Sequence, residues 1–205
     1  MTTPLYYALL ADGESDRALL HIILWTLRDL WPDGEFARPD FFSRKALPID
    51  ERLREICEQY QPNLVFVHRD AESIPYDARL TEIPVQDRVV PVIPVRMTEA
   101  WLLINEAALR KAADNPKGRV RLELPELNKL EHIDAKKVLH ESLLKASGYT
   151  GRRRKKFKVE RATRRLAELI DDFSLLKQLN AYNRFRSSLQ DALRLVGKKN
   201  PARLR

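Results

Sequence analysis

The sequence predicts an α/β fold, a mostly parallel sheet flanked by helices, followed by a basic, mainly helical C-terminal section. Three observations carry this expectation. Apolar strand-like runs alternate with segments of helical period up to about residue 115. The run Leu64 to Val67 is continuous rather than alternating, as suits a parallel strand covered on both faces. Charge also divides along the chain, with 17 Lys and Arg against 5 Asp and Glu from Gly151 to Arg205, and 20 against 24 before it. An acidic front and a basic back suit metal binding in one part and polyanion binding in the other.

The elements follow in order. Strand one spans Leu5 to Ala11 and passes through the Asp12-Gly13 turn into a helix from about Ser15 to Leu30, with Leu19, Leu20, Ile23, Leu24, Leu27 and Leu30 at helical spacing. Ser15 or Asp16 caps that helix, and Trp31-Pro32-Asp33-Gly34 ends it. Phe36 to Leu47 has no clean period and reads as a connection. A helix over Ile49 to Tyr60 is broken by Gln61-Pro62-Asn63 before the strand Leu64 to His68. Tyr76 to Glu82 reads as a short helix, and Val89 to Val95 as an edge strand because Pro91 and Pro94 have no amide for the ladder.

Met97 to Ala113 reads as a helix bearing Trp101, Leu102, Leu103, Ile104 and Leu109. The character changes past Asp114-Asn115-Pro116, which divides a unit of residues 1–115 from a section of residues 116–205 packed on it. Gly118 to Ile133 holds short apolar pieces. Helices are expected over Asp134 to Ala146, Val159 to Ile170 and Leu175 to Val196, the last stopped by Gly197. Trp25, Trp31 and Trp101 lie in or beside apolar stripes and read as core residues.

Bulk properties exclude several classes. With 44% hydrophobic residues and three Trp the chain of 205 residues is expected to fold. No stretch approaches the roughly 20 apolar residues that span a bilayer, and no charged segment precedes an apolar run at the N-terminus, so no membrane association is expected and the reading is cytoplasmic. The single Cys57 fits a reducing compartment. His21, His132 and His140 have no partner at metal spacing.

Chemistry concentrates at three acidic patches where strands run out: Asp12, Glu14 and Asp16; His68, Asp70 and Glu72; and Glu99. Carboxylates collected at the ends of neighbouring buried strands are costly unless a divalent cation neutralises them. The turn Asp12-Gly13-Glu14-Ser15-Asp16 resembles the first motif of the TOPRIM fold, the metal-binding module of nucleases and topoisomerases, with Asp12 where that family usually has Glu. The segment Val65 to Glu72 looks like the strand-end acidic pair of the same fold, in one of two registers. Either Asp70 and Glu72 form the pair, or His68 replaces the first acid and Asp70 is the second. The former is favoured because Mg²⁺ prefers carboxylates and water to imidazole. The strand and following Glu99-Ala100-Trp101-Leu102-Leu103 are similar to the TOPRIM-like DUF4276 proteins, which lie near the nucleases of the OLD type.

The resemblance covers most of the chain and implies a nuclease dependent on Mg²⁺ (or Mn²⁺) that hydrolyses phosphodiester bonds in DNA or RNA, in phage defence or a mobile-element system. An ATPase partner from that system is an expected companion; oligomeric state is open. Asp12, Asp70 and Glu72 are the expected metal ligands, with Asp16 completing or orienting the shell, Glu99 joining it or acting as general base, and His68 as proton shuttle or softer ligand. Arg69 and Arg96 flank this pocket as candidates for the scissile phosphate. Arg152, Arg153, Arg154, Lys155, Lys156 and Lys158 are expected to hold backbone phosphates, with Phe157 as a stacking surface and Arg164, Arg165, Arg184 and Arg186 extending the charge. The alternative is a catalytically inactive TOPRIM-derived module, a nucleic-acid-binding or regulatory subunit of a defence complex, which Asp12 and His68 keep in view.

Overall fold

Four parallel strands form one sheet in the order β2-β1-β3-β4, with β1 at Tyr7–Ala11, β2 at Asp40–Ser43, β3 at Leu64–His68 and β4 at Val89–Val92. The computed structural model describes residues 3–43 and 47–199, the last two of them by backbone alone. Helices are α1 (Leu19–Leu30), α2 (Ile49–Gln59), α3 (Tyr76–Leu80), α4 (Glu106–Ala112), α5 (Ala135–Ser147), α6 (Gly151–Lys156), α7 (Val159–Leu169) and α8 (Asn180–Lys199). The predicted α/β class and parallel sheet are those observed.

Side chains on successive strand residues point to opposite faces, and the two faces are covered unequally. Tyr7, Leu9 and Ala11 of β1, with Leu64 and Phe66 of β3, join a large buried cluster fed by α1, α4, α5, α7 and α8. Ala8 and Leu10, with Val65 and Val67, meet a smaller one built mainly by Ile49, Leu53 and Ile56 of α2. The larger cluster runs from Leu5 to Leu193, so residues on either side of position 115 share one core. At its centre Trp101, Tyr182 and Phe185 stack in tilted and edge contacts 5.6 to 6.0 Å apart, and Phe185 reaches Phe66 of β3 at 6.2 Å. Burial of such rings is a main source of stability, at about 25 cal/mol per Å² of apolar surface.

Several expected boundaries move. The helix expected from Ser15 opens as a 3-10 turn, Glu14–Ala18, and α1 begins at Leu19. The helix expected over Met97 to Ala113 is two pieces, a 3-10 turn at Thr98–Leu102 and α4, because Asn105 leaves helical backbone to cap α4 through the Ala108 amide. The aperiodic stretch from Phe36 contains the edge strand β2, whose residues are all half-buried; residues 44–46 of that stretch lie outside the described residues. Gly197 does not stop the last helix, which runs through it to Lys199. The basic run after Gly151 is helical as α6.

The loops leaving β3 and β4 stay paired beyond the sheet. The amides of Arg69, Ala71 and Glu72 donate to the carbonyls of Val92, Pro94 and Arg96 at 3.2, 3.1 and 2.7 Å. Glu72 and Arg96 take left-handed backbone, φ 52° and 64°, to do so. This brace fixes the residues just past the sheet's C-terminal edge.

Candidate metal centre

Strand order reverses direction at β1 and β3. The chain leaves β1 toward β2 on one side and β3 toward β4 on the other, which opens a crevice between their carboxyl ends. Leu10 pairs with Val67, so the turn after β1 and the end of β3 meet there.

From the first side comes Asp16. Its Oδ2 accepts the Gly13 amide at 2.9 Å while its own amide donates to the Gly13 carbonyl at 3.1 Å, so the reciprocal cap of the 3-10 turn holds the carboxylate in place. From the second side comes His68, the last residue of β3, whose odd-face position after Leu64 and Phe66 turns the ring toward the larger core. The imidazole is buried, and Nδ1 lies 3.0 Å from the Val92 carbonyl of β4. A carbonyl only accepts, so Nδ1 carries the proton and Nε2 faces the crevice. Nε2 lies 3.7 Å from Asp16 Oδ1 and 3.5 Å from Asp70 Oδ1. Asp70, two residues past the strand, is fixed in turn by the Thr98 amide, which donates to Oδ1 at 2.9 Å.

Asp16, His68 and Asp70 form a group able to hold a metal ion, their ligand atoms all within 4.8 Å of one another; it is the one such group among the described residues. The donor set fits a divalent cation on its own chemistry. The imidazole presents Nε2 to two carboxylate oxygens, and among the described residues no Lys or Arg is paired with Asp16 or Asp70, so a positive charge at the centre of the group would stabilise it. The same crowding is seen in Asp70, whose carboxyl is pushed up to about 6, first by burial and then by the nearby Asp16 and Glu99 charges, against the lowering influence of His68 and the Thr98 amide.

Of the expected set of Asp12, Asp70 and Glu72, Asp70 alone belongs to this group. Asp12 lies 3.2 Å from Arg69 Nε, a charge contact without hydrogen-bond alignment, and Arg69 Nη1 reaches Glu82 at 2.6 Å. Arg69 thereby clamps the turn after β1 to the segment after α3 instead of standing open to a phosphate. Glu72 is 67% exposed and faces Arg79 at 3.5 Å. Its backbone is left-handed, with φ 52°. The strict strand-end register, His68 then Asp70, is the one that converges. Arg96 is exposed on the brace.

Glu99 stands beside the group and lines a cleft of about 320 Å³ together with Ser15, Lys136, His140, Glu160, Thr163 and Arg164. Thr98, Lys136 and His140 were not expected at the site. Thr98 carries no sequence signal beyond its place before Glu99, and Lys136 and His140 arrive on α5, about 70 residues after His68 in the chain, by tertiary packing alone. The basic residues Arg152, Arg153, Arg154, Lys155 and Lys156 lie on α6 and are exposed, as is Lys158 after it. No helix is long and apolar enough to cross a membrane among the described residues. No protein-family model matches the chain, and neither a curated protein nor a solved structure matches it.

Proposed function

We propose that the chain is a metal-dependent nuclease of TOPRIM-like type whose ion is held by Asp16, His68 and Asp70. The observation that carries the reading is the bond from His68 Nδ1 to the Val92 carbonyl, which aims Nε2 at two carboxylates in the crevice between β1 and β3, with Thr98 Oγ1 3.5 Å away. One imidazole with two carboxylates suits Mn²⁺ better than Mg²⁺, which favours all-oxygen shells. When bound, such an ion supplies Lewis-acid polarisation of a phosphoryl oxygen and a more acidic water.

The chain's own residues supply the rest. Lys136 and Arg164, from α5 and α7, line the adjoining cleft and hold the scissile phosphate by charge. Glu99, on the same wall, takes up the proton of the attacking water. Thr98 keeps Asp70 oriented through its amide. The exposed cations of α6 grip flanking phosphates without reading sequence. The ionic balance of the site and the basic helices support this reading over a small-molecule hydrolase.

A second reading, an inactive regulatory subunit that binds nucleic acid, is favoured by the single imidazole where TOPRIM motifs have an acid. The two separate on incubation of the purified chain with supercoiled plasmid and with labelled RNA in Mn²⁺, Mg²⁺ or EDTA, beside Asp16→Ala, Asp70→Ala and Glu72→Ala. Cleavage that needs Mn²⁺, disappears in the first two variants and persists in the third supports the nuclease. Nucleic-acid binding by the wild type with no cleavage of either substrate supports the subunit. No binding of either nucleic acid, even at low salt, leaves neither standing.

A further inference from the structure

Behind α7, on the side away from Glu99, a second cleft of about 420 Å³ opens between α4, α6 and α7. Tyr149 and Phe157 stand in its wall as an edge-to-face pair, ring centroids 6.0 Å apart. Around them project Arg153, Lys156, Lys158, Arg161 and Arg165, all exposed, against the single carboxylate Asp114. Arg165 is paired with Asp114. Among the described residues no ion pair engages Arg153, Lys156, Lys158 or Arg161, whereas the arginines at the sheet edge, Arg69 and Arg79, are each shared between carboxylates. Four cations without a counter-charge around two half-buried rings make a site for an anion that also carries flat apolar surface.

We infer that this cleft binds a single-stranded segment of nucleic acid, an unpaired base resting against Tyr149 and Phe157 and its flanking phosphates on Arg153, Lys156, Lys158 and Arg161. A duplex hides its base faces in the stack and offers this cleft only its phosphates; an unpaired strand offers both. The volume lies within the range of pockets for small ligands and suits a nucleotide unit rather than a helix of base pairs. The inference deepens the nuclease reading by naming the form of the substrate, and it rests on that reading only for what happens at the metal centre, since the cleft is built from other residues.

The test is fluorescence anisotropy of the whole chain in EDTA, where no cleavage intervenes, with three probes: a short labelled strand of unpaired thymidines, the same strand annealed to its complement, and inorganic polyphosphate as competitor. The unpaired strand is expected to bind on the order of tenfold more tightly than the duplex. Tyr149→Leu and Phe157→Leu keep apolar bulk against the core and should erase that preference while leaving duplex binding unchanged. Lys156→Gln with Arg161→Gln, both exposed, should weaken both probes and flatten the salt dependence. Glu58→Gln, exposed on α2 and outside both clefts, should bind the strand as the wild type does. Equal affinity for strand and duplex, equal competition by polyphosphate on a phosphate basis, or no effect of the Leu variants in a chain that still melts cooperatively would each overturn the inference. Unchanged strand binding in Lys156→Gln with Arg161→Gln would place the strand elsewhere and overturn it as well.

Discussion

His68 Nδ1 stands 3.0 Å from the carbonyl oxygen of Val92, and this one contact between β3 and β4 decides which ring nitrogen meets Asp16 and Asp70. A hydrogen bond that fixes the tautomer from behind is a common arrangement around metal-ligating histidines. It also decides the register of the site, because the residue that ends the strand, not the one four positions later, faces the crevice.

The first prediction follows from that register. Mn²⁺ should raise the melting temperature of the wild type by mass action, about 2.7 kcal/mol when the ion is a hundredfold above its Kd. His68→Gln and Asp16→Asn should weaken Mn²⁺ at least tenfold in titration calorimetry. Glu72→Gln should not, since Glu72 is largely exposed and turned to Arg79. Equal losses from Glu72→Gln and Asp16→Asn would restore the register with Glu72.

Asp70 supplies the second. Its carboxyl sits at about 6 in the folded chain against an ordinary value of 3.8, so the native state holds that proton more tightly than the unfolded one. The ion-free protein therefore loses stability as pH rises from about 4 to 6, and stays at the lower level above it. With 28% of the side chain exposed the loss is about 2 kcal/mol. In EDTA at pH 8, Asp70→Asn should melt above the wild type, and at pH 4 the difference should vanish; with Mn²⁺ present the order should reverse. A variant less stable than wild type in EDTA at pH 8 would contradict the assignment.

The parts of this architecture that the sequence makes visible are those fixed by local pattern. Leu64 to His68 reads as β3 to the residue, because five consecutive buried positions leave nothing for a helix period to explain. Asp16 is visible as the second acid of a strand-to-helix turn. β2 is not, because an edge strand with half-buried Phe41 and Phe42 shows neither alternation nor a continuous apolar run. The choice between His68 and Glu72 is not legible because both registers fit the motif, and the left-handed conformations of Glu72 and Arg96 are ones that no composition rule assigns to Glu or Arg. The α5 and α7 residues of the clefts depend on packing across the whole chain.

Arg69 carries the third prediction. Its guanidinium is 13% exposed and lies between Asp12 and Glu82 at 3.2 and 2.6 Å, which makes it a tie between two loops. Arg69→Met should lower stability by about 1–2 kcal/mol, since both carboxylates are partly exposed and regain water when the cation is removed. Nucleic-acid affinity in EDTA should change less than twofold. The opposite pattern, unchanged melting with weakened binding, would return Arg69 to the role of phosphate ligand.

The fourth prediction concerns how α1 and α8 are locked together over the sheet. Thr26 on α1 donates its hydroxyl to the Ile22 carbonyl at 2.7 Å, and the same oxygen lies 2.9 Å from the Tyr182 hydroxyl on α8. Thr26 has one proton and has spent it, so Tyr182 must be the donor between them. Burial holds that phenol up to about 12, and it keeps its proton throughout the neutral range. The two deletions are therefore unequal. Tyr182→Phe removes a donor and leaves Thr26 with its Ile22 partner, costing about 1 kcal/mol. Thr26→Val keeps the shape but strands a buried phenol hydroxyl, costing about 1–3 kcal/mol. In the double variant no polar group is left stranded, so its cost should fall below the sum of the two singles, and urea denaturation of the four proteins measures the difference. Additive losses, or a costlier Tyr182→Phe, would show that the tyrosine proton is directed elsewhere.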